Sequence, residues 1–120
     1  MKAEFGKHFI ADLYLCQRRL WENPQELFDK VREIAQLAHL TSICCCVETA
    51  QAEWIRIWAK FQDLLILLHV FPEEGFLTID LFSWQSQFNI QDLGEGLIEL
   101  FNPQVVAAES RLRGEHLKTL

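Results

Sequence analysis

The side chains with the most chemical capacity in this sequence are few and scattered. His69 stands at the end of an apolar run and shortly before Glu73, with Asp63 upstream and Asp80 downstream. Histidine and carboxylates are the usual currency of proton transfer, and Cys16, Cys44, Cys45 and Cys46 add thiols. By spacing alone, none of these forms a nucleophile with its base. The cysteines contain no C-x-x-C pair. Consecutive residues of an extended strand point to opposite faces, so the triplet cannot converge on one ion. Cys44 and Cys46 share a face and would need histidines to complete a site. Buried free thiols in a reducing compartment explain them more simply, and no metal is expected.

The elements that must position these groups follow from periodicity. Residues 7–16 alternate, with Phe9, Ala11, Leu13 and Leu15 on one side, which predicts a strand. Asn23-Pro24 supplies an N-cap and a first-turn proline. Leu27, Val31, Ile34, Ala35 and Ala38 continue at helical spacing, predicting a helix to about residue 39. Strands are predicted over 41–48 and 52–61. In the latter, Ile55, Ile57, Ala59 and Phe61 form an apolar face opposite Trp54, Arg56, Trp58 and Lys60. Residues 64–71 are apolar on both faces, which predicts a strand buried on both. A turn at 72–75 and a strand at 76–82 follow. Ile90, Leu93, Leu97, Leu100 and Phe101 mark a helix over 90–101, against which Gly94 and Gly96 count. Asn102-Pro103 ends it, and 104–113 is compatible with a last strand.

This order, β-α-β-β-β-β-α-β, predicts one α+β domain over residues 1–120: a two-layer antiparallel sheet with two helices on one face. The opposite face, with Trp54, Trp58, His69 and Phe71, then lacks a cover. A second copy, sheet against sheet about a two-fold axis, would supply it. Of the 120 residues, 50% are hydrophobic, enough for a core in one domain. The net charge of −6 argues against nucleic acid or an anionic membrane as partner. The N-terminus shows no apolar core of a signal peptide, and the run from Leu64 to Leu68 is far short of the roughly 20 residues of a span. The expected location is cytoplasmic.

Three segments carry a family resemblance. They are Gly6-Lys7-His8-Phe9-Ile10-Ala11-Asp12-Leu13-Tyr14; the block His69-x-Phe71-Pro72-Glu73-x-Gly75 with Ile79-Asp80-Leu81-Phe82; and Val105-Val106-Ala107-Ala108-Glu109-Ser110-Arg111-Leu112-Arg113-Gly114. They are spread from residue 6 to residue 114, and over nearly its whole length the chain resembles the small bacterial-type S-adenosylmethionine (AdoMet) decarboxylase proenzymes of spermidine biosynthesis. The resemblance implies an α+β protomer that dimerises with sheets inside and helices outside. It also implies self-cleavage at a serine, leaving a pyruvoyl group that forms a Schiff base with the substrate and acts as electron sink.

Carried onto this sequence, the residue before the cut is Asp63 and the serine position is Leu64. The processing histidine is His69, and the proton-donor cysteine position is Trp84. Ser83 lies beside it, but strand parity points it elsewhere. Phe71 and Glu73 match an adenine-stacking aromatic and a ribose-binding carboxylate, and a second stacking aromatic falls at Ala50. Without a hydroxyl at Leu64 no pyruvoyl cofactor is expected, and the indole of Trp84 is large enough to fill the thiol's pocket. The expectation is a non-catalytic homologue acting through contacts, as a homodimer or with a related subunit. The alternative is a sensor that binds AdoMet, a nucleoside or a polyamine through His69, Phe71 and Glu73. A third reading, an enzyme with new chemistry, would draw on His69, Asp63, Asp80 or a cysteine.

Overall fold

The computed structural model describes residues 6–17, 22–37, 44–50, 53–61, 64–84 and 89–114. In chain order the elements are β1 (Gly6–Tyr14), α1 (Pro24–Leu37), β2 (Cys44–Ala50), β3 (Trp54–Phe61), β4 (Leu64–Phe71), a 3-10 turn (Pro72–Glu74), β5 (Phe76–Ser83), α2 (Ile90–Phe101) and β6 (Val105–Arg113). The strands form one sheet in the order β2-β3-β4-β5-β1-β6, and every neighbouring pair is antiparallel.

Period-two patterning decides which side chains enter the core. Phe9, Ala11 and Leu13 of β1, Ile55, Ile57, Ala59 and Phe61 of β3, Leu64, Ile66, Leu68 and Val70 of β4, and Leu77, Ile79 and Leu81 of β5 are all buried. They share one face of the sheet, and the apolar stripes of α1 (Leu27, Phe28, Val31, Ala35) and α2 (Ile90, Leu93, Leu97, Phe101) close over it. Burial of such side chains contributes about 1.5–3 kcal/mol each.

The helix ends are set by local chemistry. Asn23 Oδ1 accepts from the backbone N–H groups of Gln25 (3.1 Å) and Glu26 (3.3 Å). Asn89 caps α2 in the same way, accepting from the Asp92 N–H at 3.2 Å. At the other end Asn102 takes a left-handed conformation (φ 44°) and its N–H donates to the carbonyls of Ile98 and Glu99.

Helix α2 forms over the expected residues despite both glycines, and Gly94 has a packing role. A Cβ there would lie 2.5 Å from the Phe9 ring, so the missing side chain is what lets helix and sheet approach this closely. Two further expectations need correction. The strand over 64–71 is buried on one face only: Leu65, Leu67, His69 and Phe71 are partly exposed, because among the described residues both helices lie on the other face. Leu15, expected on the inward face of the first strand, is 55% exposed with φ 56°, where the chain leaves β1. The first strand and last strand otherwise run Gly6–Tyr14 and Val105–Arg113 rather than to 16 and from 104. Ala38, His39 and residues 41–43 lie outside the described residues.

Candidate functional site

The second face of the sheet collects the polar and aromatic side chains of the middle strands. It carries two clusters at opposite ends. At one end β4 runs into the Pro72–Glu74 turn. Here Arg56 of β3 sits opposite His69 of β4 in the strand register, and its Nε–H donates to His69 Nε2 at 2.9 Å. That bond requires a free lone pair on Nε2, so the ring proton is on Nδ1. Glu48 of β2 lies opposite Arg56, with Oε2 3.7 Å from the guanidinium. The guanidinium also lies 5.1 Å from the Trp54 ring centroid. Beside this chain runs an aromatic row: Phe71 stacks on Phe76 at 5.8 Å, and Phe76 meets Tyr14 at 5.1 Å. Glu73 is exposed on the turn. Gly75 closes that turn with φ 65°, a left-handed conformation that suits glycine.

At the other end His8 of β1 bridges β5 and β6. Its Nε2 lies 3.3 Å from Asp80 Oδ1, and Arg113 Nη1 lies 3.1 Å from its Nδ1. The guanidinium can only donate, so Nδ1 accepts and Nε2 carries the proton toward Asp80. Phe82 is flanked edge-on by Trp84 at 4.7 Å and by His8 at 5.9 Å, and Arg113 lies over its ring at 5.9 Å.

The sequence-designated positions divide between these ends. Leu64 opens β4 and lies directly opposite Ser83 of β5. Both face the helices, 2% and 1% exposed. Trp84, next in the chain, is 47% exposed. It does not fill an internal pocket as expected, since its indole rests on Phe82 at the surface. His69 and Phe71 point to the opposite face from Leu64 by parity. The five steps from Leu64 to His69 span roughly 17 Å along the strand. One protomer therefore brings Leu64 near Trp84, and His69 near Phe71, but holds the two pairs apart. Asp63 lies outside the described residues. Ala50, the position of the second aromatic, lies opposite Trp54 in the strand register.

Arg56, His8 and Arg113 were not singled out as site residues from the sequence; Asp80 was, but not with these partners. Strand parity puts all of them on the non-core face, and only the sheet order makes them partners. Among the described residues no group of three or more His, Cys, Asp or Glu is placed to hold a metal ion. Burial pushes the Cys16 thiol up from 9.0 to about 11, the reverse of an activated nucleophile. Among the described residues no helix is long and apolar enough to cross a membrane.

Comparison with known proteins agrees with this architecture. A family model described as S-adenosylmethionine decarboxylase matches residues 7–114. An S-adenosylmethionine decarboxylase proenzyme of Picrophilus torridus is 25% identical over 118 residues, 98% of this chain and 91% of that protein. One from Pyrobaculum neutrophilum is 22% identical over 86% of this chain and 84% of its own length. The crystal structure of the adenosylmethionine decarboxylase from Aquifex aeolicus superposes with a TM-score of 0.83, at 21% identity, covering 92% of both chains.

Proposed function

This chain belongs to the S-adenosylmethionine decarboxylase family, and from that premise we propose that it is a member without the pyruvoyl chemistry, acting as a regulatory or interaction protein. Leu64 carries the reading. At the position the resemblance assigns to the cofactor-forming serine stands a hydrocarbon side chain, 2% exposed at the start of β4 and opposite Phe61 and Ser83 in the neighbouring strands. It offers no hydroxyl to attack the preceding carbonyl. The residues here do not fit a pyruvoyl group, and we expect none. Trp84 at the proton-donor position supports the same reading. The relatives' names, decarboxylase proenzymes, point to the ancestral reaction.

The uncovered sheet face supports a dimer. Leu65, Leu67, Phe71, Phe76 and Phe82 are only partly buried in one chain. A second copy, or a related subunit, laid across it about a two-fold axis would bury them. It would also bring the Trp84 end of one protomer over the His69–Phe71 end of the other. The cytoplasm, where free thiols persist, is the proposed compartment, and neither nucleic acid nor membrane is a proposed partner.

A second reading is favoured by the row Phe71–Phe76–Tyr14 beside Glu73: retained binding of AdoMet, a nucleoside or a polyamine without turnover. Purified protein tests both readings. Intact mass reports whether the chain is cut, and release of carbon dioxide from carboxyl-labelled AdoMet reports turnover. An uncut chain with no release is expected. A cleaved chain bearing pyruvoyl, with turnover, overturns the main reading. Calorimetry with AdoMet then separates the two: saturable binding selects the sensor, and its absence selects the interaction protein.

A further inference from the structure

We propose that the edge strand β6 is a pairing surface for a second copy of this chain, joined antiparallel about a two-fold axis through Ser110. The proposal does not rest on the uncovered face or on the fate of the pyruvoyl chemistry. β6 ends the sheet order, and all nine of its residues are exposed. The helices pack mainly over β1, β5 and β2; α2 reaches β6 where Ser110 Oγ donates to Gln91 Oε1 at 2.6 Å, and the strand stays exposed along its length. A long edge of this kind offers unpaired N–H and C=O groups along its length. Natural proteins usually shorten, bend or cover such edges. Here Val105, Val106 and Leu112 are 53%, 42% and 44% exposed on it.

The charges select both partner and register. Glu109 and Arg111 lie on the same face of β6, opposite Ile10 and His8 of β1. With Ser110 opposite its own copy, each Glu109 meets the other chain's Arg111, and Leu112 meets Ala108. Sliding by one pair in either direction puts Glu109 against Glu109, or Arg111 against Arg111. Like charges directly opposite are destabilising. Only the register centred on Ser110 is free of such a clash among these three, and that self-complementarity is what an isologous interface requires. The axis stands perpendicular to the sheet. Both helix layers then lie on one side of a continuous sheet, with the Gln91 side chain of each α2 beside the junction at Ser110.

Disulfide trapping tests the register. Ser110→Cys is compared with wild type, Val106→Cys and Leu112→Cys under the same mild oxidation, and cross-linked peptides are identified by mass. The expected result is a link between the two introduced thiols of Ser110→Cys chains, with positions 106 and 112 no higher than wild type. Glu109→Arg in the Ser110→Cys chain should lower the yield roughly fivefold or more, since two opposite-charge pairs become like-charge pairs. Adding Arg111→Glu should restore it. A Ser110→Cys yield no higher than wild type, equal yields at all three positions, or no response to charge reversal overturns the proposal. All substituted side chains are solvent-exposed, and far-UV circular dichroism checks that each variant folds.

Discussion

Gly94→Ala and Gly96→Ala form a matched pair on α2, and their difference measures how tightly this helix is seated on the sheet. Both changes raise helix propensity by the same amount, about 1 kcal/mol. At Gly96 the new methyl meets only Ile34 Cγ2 at 3.6 Å, an ordinary contact. That variant should gain about 0.5–1 kcal/mol. At Gly94 the methyl lands 2.5, 2.6 and 2.8 Å from the Cε1, Cζ and Cδ1 atoms of Phe9. The Phe9 ring is 1% exposed, so it cannot swing into solvent, and ring or helix must move by roughly 1 Å through a close-packed core. Overpacking of this kind costs about 1–3 kcal/mol. Because propensity cancels, the two variants should differ by about 1–3 kcal/mol, with Gly94→Ala the weaker. Urea unfolding at one fixed protein concentration, followed by tryptophan fluorescence, reads the difference directly. A Gly94→Ala protein as stable as Gly96→Ala would refute the close approach of α2 to Phe9.

Leu64→Ala should cost about 2–5 kcal/mol in the same assay, as for other fully buried leucines, and Leu64→Ser at least as much, since its hydroxyl would enter the core. A loss under about 1 kcal/mol would show that Leu64 is not packed as described. The raised Cys16 thiol makes a linkage prediction: its contribution to stability is complete below pH 9.0 and is lost as pH rises toward about 11, because the unfolded chain gives up the proton first. Cys16→Ala should therefore lose less stability than wild type between those pH values; parallel curves would contradict the shift. Long-range nitrogen–proton NMR should find His69 with its proton on Nδ1 near neutral pH, and Arg56→Ala should abolish that preference. An Nε2–H tautomer in the wild type would rule out the Arg56–His69 bond.

Much of the fold was legible because its signals are local. Alternation grouped Phe9, Ala11 and Leu13, and Ile55, Ile57, Ala59 and Phe61, on one apolar face each without any knowledge of their partners. Pro24 and Asn23, and Asn102 with Pro103, marked helix ends through their own backbone constraints. The site was less legible. Position by position, Leu64, His69, Phe71 and Trp84 could be singled out from one stretch of chain. Whether they meet could not, since that depends on strand direction and parity together. In the folded protomer Leu64 enters the core while His69 faces away from it, and Trp84 stays at the surface.

What the sequence determined by itself is the set of elements, the apolar faces of the strands over 7–16 and 52–61, and the lack of a hydroxyl at Leu64, because side-chain chemistry and periodicity belong to single residues and their near neighbours. Tertiary structure alone decided the rest. It placed β1 between β5 and β6, so that His8, Asp80 and Arg113 became partners across 105 residues of chain. It pressed α2 onto Phe9, turning Gly94 from a weak helix former into a packing requirement. And it left β6 with one neighbour instead of two. Each of these follows from pairing between strands distant in sequence, whose register is settled only when the whole apolar face is buried at once.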